Sequence, residues 1–369
     1  MANYIPIPPE RAGLELDEFL CLTFPLLNKG FLRNKVREGA VLVDGMKASP
    51  SQRLREHQVL VVDFDEDEEL PEIPVAPTVR IPVLYEDANV IAVDKPSDLA
   101  AEPERWARAN ASLAGALLEL ALERAEIDSG EPTEPTRGLV FRPRLLHRLD
   151  KDTSGVVLVA KNLAAERVLR EAFECGAVHK QYLALVEGDY PLAEGASEVI
   201  DLPIGPDERR SGRMCVDRRN GKSSQTRVSI ERRFRGYTLL RCEPLTGRTH
   251  QIRVHLRELG FPLAVDPAYG RRSALSLSEF KRDYRRKPGA IEHPLIERLT
   301  LHARRLDFPD PADLEHVRFG AGTPAAEGAT GPAGLAPEDF ARARRITVEA
   351  PLPRDLARVL KQLEKARPA

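Results

Sequence analysis

The sequence predicts an α+β protein: a small helix-and-hairpin domain, then a larger domain with a mixed, mainly antiparallel sheet flanked by helices. Three observations carry this. Apolar segments of strand length outnumber helical ones and follow each other in runs, which favours antiparallel pairing. An acidic stretch holding Asp63, Asp65, Glu66, Asp67, Glu68, Glu69 and Glu72, with no base among them, divides the chain. A length of 369 residues allows two or three domains. The expected boundaries are 1–63 for the first domain, 64–78 for an acidic linker and 79–369 for the second.

In chain order, Leu14, Leu16, Phe19, Leu20 and Leu22 recur at near-helical spacing, and Pro25 stops that helix. Asn28 is placed to cap a second helix running to about Glu38, with Gly39 as its stop. Lys29, Arg33 and Arg37 are four apart, so they share one face of it. That face is either solvated or a phosphate-gripping stripe. "AVLVDGMKA" reads as two strands joined by an Asp44-Gly45 turn, and "VLVVDF" as a third strand.

Beyond the linker, "VRIPVLYEDANVIAVDKPSDLA" gives a strand, a turn at Glu86 to Asn89, and a strand ending at Lys95-Pro96. Residues 111–126 form an amphipathic helix pattern and 130–138 a loop. "GVVLVAKN" is a strand and Leu163 to Glu174 a helix. "KQYLALVEG", "SSQTRVSIERRF" and "GYTLLRCEPL" add strands, and "THQIRVHLRELG" is a helix stopped by Gly260. The Gly-, Ala- and Pro-rich stretch 319–338 reads as a flexible insertion. A final strand and helix follow in "ITVEAPLPRDLARVLKQLE".

Composition narrows the function classes. With 42% hydrophobic and 30% charged residues the chain is an ordinary soluble type. No stretch approaches the roughly 20 apolar residues that span a bilayer, so no membrane association is expected. The start, MANYIPIPPERAG, lacks the charged-then-apolar pattern of a signal peptide. Cys21, Cys175, Cys215 and Cys242 lie far apart with no C-x-x-C pair, which argues against zinc and disulfides and for a cytoplasmic location. The net charge is −2, yet residues 205–235 hold ten Lys or Arg against four Asp or Glu. Such a patch can bind a polyanion by releasing counterions, whatever the total charge.

The stretch "RLLHRLDKDTSG", residues 144–155, places Asp150 where a polar segment meets a strand. Alone, an aspartate among bases is an ion pair or a reactive carboxylate. A buried one stays ionised only if a cation or several donors hold it, and Arg148 and Arg253 are the candidate cations. A kinase loop would read H-R-D without the intervening Leu149 and would need a Gly-rich loop upstream. A phosphatase D-x-D-x-T would need its Thr one place later than Thr153. A metal site from His147, His250 and His255 is conceivable, but two histidines five apart share a helix face poorly.

A fourth template fits along the whole chain. "HRLDKDTSG" resembles the H-R-L-D-x-x-T-S-G signature of the RluA-type RNA pseudouridine synthases. "YEDANVIAVDKPSDL", "HKQYLALVEG", "LPIGPDERRSGRMCVDRRNGKSSQTRV", "LTGRTHQIRVHLRELGFPLAVDPAYG", "RLTLHARRLDFPDP" and "ITVEAPLP" resemble their other motifs, in order, over about residues 79–360. The helix-helix-hairpin pattern of about 14–63 resembles the S4 RNA-binding domain. Two departures stand out: Asp98 replaces the glycine usual after Lys-Pro-Ser, and Val265-Asp266-Pro267 replaces the usual Gly-Asp at the late turn. Both are expected to touch turn geometry or RNA fit and not the chemistry.

The resemblance implies an isomerase that detaches uracil from its ribose in RNA, rotates it and rejoins it through C5, with no metal or cofactor. It implies Asp150 as the carboxylate that acts, Tyr182 as the residue stacked on the target base, and Arg253 as the cation paired with Asp150. It implies that Arg148 fills the space a flipped base vacates. Extruding a base costs a few kcal/mol, and stacking on an aromatic ring returns roughly 1–3 kcal/mol. Members carrying an S4 domain mostly modify large-subunit ribosomal RNA, so that RNA is the expected partner of a monomeric enzyme, with Lys29, Arg33 and Arg37 on its backbone. The rival readings are an inactive RNA-binding or ribosome-assembly protein of the same fold, a tRNA-directed synthase, and a metal-dependent phosphohydrolase using Asp150 and Asp152.

Overall fold

A computed structural model describes residues 3–63, 79–103, 111–129, 141–281, 284–285, 291–314 and 335–366. The expected acidic linker 64–78, the expected loop 130–138 and most of the 319–338 stretch lie outside these residues. The chain divides into two compact units, one of residues 1–80 and 101–144, the other of 81–100 and 145–369. Sequence order assigns 101–144 to the second domain; the contacts group it with the first.

In the first unit, strands β1 (Asn3–Pro6), β2 (Val41–Val43), β3 (Met46–Lys47) and β4 (Val59–Val62) make one antiparallel sheet in the order β1-β4-β2-β3. Helices α1 (Leu16–Thr23) and α2 (Lys29–Glu38) lie beside it. The local signals act as the sequence suggests. The Asn28 side chain accepts from the Gly30 N–H at 2.7 Å, and Gly39 closes α2 at φ 91°. Asp44 and Gly45 both have positive φ, 51° and 76°, as the two-residue hairpin turn requires. Leu16, Phe19, Leu20, Leu32, Val36, Val41 and Leu60 are buried together as its core. Helix α3 (Leu113–Ser129) adds Leu118 and Ala121 to a small cluster with Leu22.

The second unit bears out the mixed, mainly antiparallel sheet flanked by helices. Its strands are β5 (Val83–Glu86), β6 (Val90–Lys95), β8 (Ser154–Ala160), β9 (His179–Glu187), β10 (Ser197–Asp201), β13 (Gln225–Phe234), β14 (Tyr237–Pro244), β15 (Leu301–Pro309) and β16 (Arg345–Glu349). The two-residue strand β7 (Arg144–Leu145) precedes β8, and β11 (Ile204–Pro206) and β12 (Met214–Val216) form a separate hairpin. The main order is β10-β13-β14-β9-β15-β8-β6-β5. The β8–β15 contact is parallel and short, after which β15 exchanges β8 for antiparallel β16.

That junction explains one glycine. At φ 120° a Cβ on Gly155 would lie 2.1 Å from the Ala303 carbonyl oxygen, so only glycine lets the two backbones meet there. Alternation along β9 serves both faces: Leu183 and Leu185 pack under the C-terminal helix Arg354–Lys365, Ala184 and Val186 under α5 (Gln251–Glu258). The C-terminal helix contributes Leu356, Val359, Leu360 and Leu363, the spacing of one helical stripe. Strand β8 is buried along its whole length against α4 (Leu163–Glu174) and other neighbours, so the segment after Asp150 is anchored in the core. Among the described residues no helix is long and apolar enough to cross a membrane.

Candidate active site

Asp150 lies just before β8, and two anchors fix the segment that carries it. Leu146 and Leu149 are buried, leaving Arg148 exposed between them and Asp150 partly open. The His147 ring accepts the Leu158 N–H at its Nε2 (3.0 Å) and lies 5.1 Å from the Phe173 ring. Burial pulls its pKa down to about 3, so it is a neutral structural residue. Lys95, fully buried, donates to the carbonyls of Pro96, Leu99 and Lys151 at 2.9, 2.8 and 2.9 Å. It thereby ties the turn after β6 to the turn after Asp150. Burial lowers its pKa to about 8, against the opposing pull of Asp152 and Asp150.

The expected partnership of Arg253 with Asp150 is present. Arg253 Nη1 donates to Asp150 Oδ2 at 2.9 Å. Its Nε and Nη2 donate to the two oxygens of Asp266 at 2.9 and 2.8 Å, a bidentate grip. Arg253 and Asp266 are 7% and 1% exposed, whereas Asp150 keeps 27%. Burial opposes the guanidinium charge, but Asp266 first and then Asp150 outweigh it and hold its pKa above the ordinary value. Asp150 Oδ1 takes no hydrogen bond among the described residues, so one oxygen remains for a ligand.

Asp266 corrects the expectation that the late turn bears only on local geometry or RNA fit. It fixes the orientation of the cation that holds Asp150. Its Oδ1 also accepts from the N–H groups of Ala268 and Tyr269, which closes the turn. The signal was present in "VDPAYG", an Asx-type turn thirteen residues after Arg253.

Tyr269 escaped the sequence reading, which considered its partner His250 only as a candidate metal ligand. Tyr269 lies with its ring 4.9 Å from the Arg253 guanidinium, and its hydroxyl accepts the Met214 N–H at 2.7 Å. The hydroxyl proton is then free to donate to His250 Nδ1, also 2.7 Å away. This leaves the imidazole proton on Nε2, which faces Asp150 Oδ2 at 3.8 Å. Burial lowers the His250 pKa although Asp150 pulls the other way. His250 sits in the left-handed region at φ 57°, at the N-terminal end of α5.

Tyr182, on β9, is half-buried, and its phenol pKa is raised by burial and then by the nearby Asp150 charge. It thus shares Asp150's surroundings, as does the Tyr269–His250 pair. The alternative His147, His250 and His255 metal site is not assembled. His255 is engaged by Thr226 Oγ1 and the Leu202 carbonyl, and among the described residues no group of three His, Cys, Asp or Glu is placed to hold a metal. Asp98, at φ 64°, sits in the left-handed backbone region that favours glycine and that aspartate tolerates.

In the first unit, Lys29 and Arg33 do not stand apart from acids. Asp17, fully buried, takes Arg33 Nε at 2.6 Å and Lys29 at 3.4 Å; Lys29 also lies 3.6 Å from Glu18. Arg37 donates to Asn34 Oδ1 at 3.3 Å.

With this geometry, the likeness to known proteins is specific. A family model described as RNA pseudouridylate synthase matches residues 89–258. Ribosomal large subunit pseudouridine synthase D of Xanthomonas campestris pv. campestris is 34% identical over 318 residues, covering 86% of this chain and 88% of that protein. Ribosomal large subunit pseudouridine synthase C of Escherichia coli K12 is 32% identical over 324 residues, covering 86% and 92%. Human RNA pseudouridylate synthase domain containing 4 shares the fold, with a TM-score of 0.50 at 21% identity over 77% of this chain and 93% of that one. The family match spans both Asp150 and Arg253, the relatives align over most of their own length, and the chain belongs to the RluA-type family of RNA pseudouridine synthases.

Proposed function

We propose that this enzyme isomerises specific uridines of large-subunit ribosomal RNA to pseudouridine, and that Asp150 is the carboxylate that acts on the target nucleotide. One observation carries the assignment: Asp150 is the open end of an otherwise sealed Asp266–Arg253–Asp150 chain, aimed by the arginine and with one oxygen that takes no hydrogen bond among the described residues. The reaction balances without a cofactor: N1–C1′ breaks, C5–C1′ forms, and a hydrogen leaves C5 while N1 gains one. The protein needs to bind the flipped uridine, keep the freed base in place and supply the carboxylate.

The supporting roles follow from position. Tyr182 stacks on the extruded base, which its aromatic face can stabilise by roughly 1–3 kcal/mol. Arg148, exposed beside Asp150, occupies the gap the base leaves in the RNA. Arg253 holds and aims Asp150. The S4-like first domain adds backbone contacts through Lys29, Arg33 and Arg37, with Arg37 contributing most because Asp17 already engages the other two. The ribosomal substrate is supported by the names of the relatives, both large-subunit enzymes. A monomer working in the cytoplasm is the matching setting.

The test is to map pseudouridines in total RNA from cells with and without the gene. Loss of one or a few sites confined to large-subunit ribosomal RNA is expected. Loss confined to tRNA, or no loss, would overturn the substrate assignment.

A further inference from the structure

Away from Asp150, one groove gathers cations from three distant segments. The β11–β12 hairpin supplies Arg210 and Arg213, α5 supplies Arg257, and the segment after Tyr269 supplies Arg271. Together with Tyr269 and Gly270 they line an open cavity of about 490 Å³, within the range of sites that hold small molecules.

The convergence is built into the fold. The Met214 N–H is fixed on the Tyr269 hydroxyl, and Ile204, Val254 and Tyr269 share an apolar cluster with Met214 and Val216. The hairpin is therefore held on α5. Its turn is also fixed: the Arg210 N–H donates to the Asp207 carbonyl, and the Arg213 N–H to the Arg210 carbonyl, both at 3.1 Å.

What is missing around these arginines matters as much. Arg298, Arg344 and Arg345 are each paired with an aspartate. Among the described residues Arg210, Arg213 and Arg257 have no carboxylate within ion-pair distance, and Arg271 alone has one, Glu187 at 3.4 Å. Four cations gathered around one groove with a single paired carboxylate among them repel one another, a cost that a bound polyanion removes.

We infer that this groove binds phosphodiesters of the RNA strand beside the target nucleotide. The inference rests on the chain acting on RNA and adds where the strand runs. Arg253 and Arg257 are one helical turn apart and both lie over the Tyr269 ring, at 4.9 and 5.9 Å. The groove is thus one ring away from the cation that holds Asp150, which places it beside the target nucleotide's site.

The experiment measures Kd for a large-subunit ribosomal RNA transcript as a function of potassium chloride concentration. It compares the full-length protein with an Arg210→Gln, Arg213→Gln, Arg257→Gln triple variant and the matching Lys triple. Thermal melting confirms that each variant is folded. The Gln triple is expected to bind at least about tenfold more weakly, with a slope of log Kd against log salt lower by about 2, the release expected from three single-strand phosphate contacts. The Lys triple is expected to restore most of the slope. An unchanged slope, or a Lys triple as defective as the Gln triple, would overturn the proposal. So would inorganic phosphate binding to the groove while RNA affinity is untouched by the Gln triple, which marks a small-anion site. Because Kd is read without turnover, failure here is distinct from failure of the wild-type protein to make pseudouridine.

Discussion

Each unit of this protein sets buried carboxylates against cations, and the two arrangements end differently. In the first, Asp17 and Glu18 are sealed from solvent, at 0% and 4% side-chain exposure, and pair with Lys29, Arg33 and Arg144, while Asp17 Oδ1 and Glu18 Oε2 take no hydrogen bond among the described residues. In the second, one buried cation, Arg253, is shared by two carboxylates, and the outer one, Asp150, stays 27% exposed with an oxygen free. Neither ion pairing nor an unsatisfied oxygen therefore sets the proposed reactive carboxylate apart. What sets it apart is being held by a buried cation on one side and open to solvent on the other.

Substitutions can break this contrast at either end. The largest expected effect is on activity. Asp150→Asn keeps an oxygen for Arg253 but removes the anion, and pseudouridine formation should fall by about a thousandfold or more, at least as large a loss as a positioned acid or base commonly gives. The melting temperature should barely move, because the site is partly open. A variant retaining a tenth of wild-type activity would remove Asp150 from the reaction.

Asp266→Ala should damage both properties. It strands the Arg253 charge in a buried site, for which about 3–5 kcal/mol of stability is the usual cost, and frees the guanidinium that aims Asp150. Denaturant unfolding alongside a rate assay checks this. Stability lost with kcat intact would show that Asp266 serves the fold alone. Asp17→Ala should give that purely structural result in the first unit, a loss of a few kcal/mol with kcat unchanged.

Smaller effects come from titration and from the surface. His147 and His302 are held neutral by burial, with pKa values pushed down to about 3 and about 4 from the ordinary 6.5. The unfolded chain then binds more protons between those values, so stability is full above pH 6.5 and is lost as pH falls towards 3. His147→Asn, which cannot titrate, should unfold with a shallower dependence on pH over that window. An identical slope would mean that His147 is not kept neutral. Lys29→Gln should cost at most about 1 kcal/mol, since the lysine end of its pair is exposed to solvent.

Much of this was legible in the residues because it depends on neighbours in sequence. The Asn28 cap, the Gly39 stop, the Asp44-Gly45 turn and the helix from Leu163 to Glu174 are local devices, and each formed as read. The pairing of Asp150 with Arg253 spans 103 positions and came from the resemblance, not from spacing. Asp266 reads in sequence only as a departure in a turn, because its partner Arg253 is met only after the chain has folded back from α5. The grip of Asp17 on Lys29 and Arg33 was hidden for a related reason. A helix wheel shows three bases on one face of α2 but not the acids that the preceding helix sets against them. Tyr269 and His250 are joined through a hydroxyl that a backbone N–H from a third segment orients, and no single stretch of sequence contains that contact.

The most direct measurement separates binding from chemistry at Asp150. A large-subunit ribosomal RNA transcript carrying tritium at C5 of uridine is bound by excess enzyme, and tritium release is followed through a single turnover. Asp150→Asn should bind the transcript with the wild-type Kd and release no tritium above background. Release at the wild-type rate would contradict the assignment of Asp150 as the carboxylate that acts.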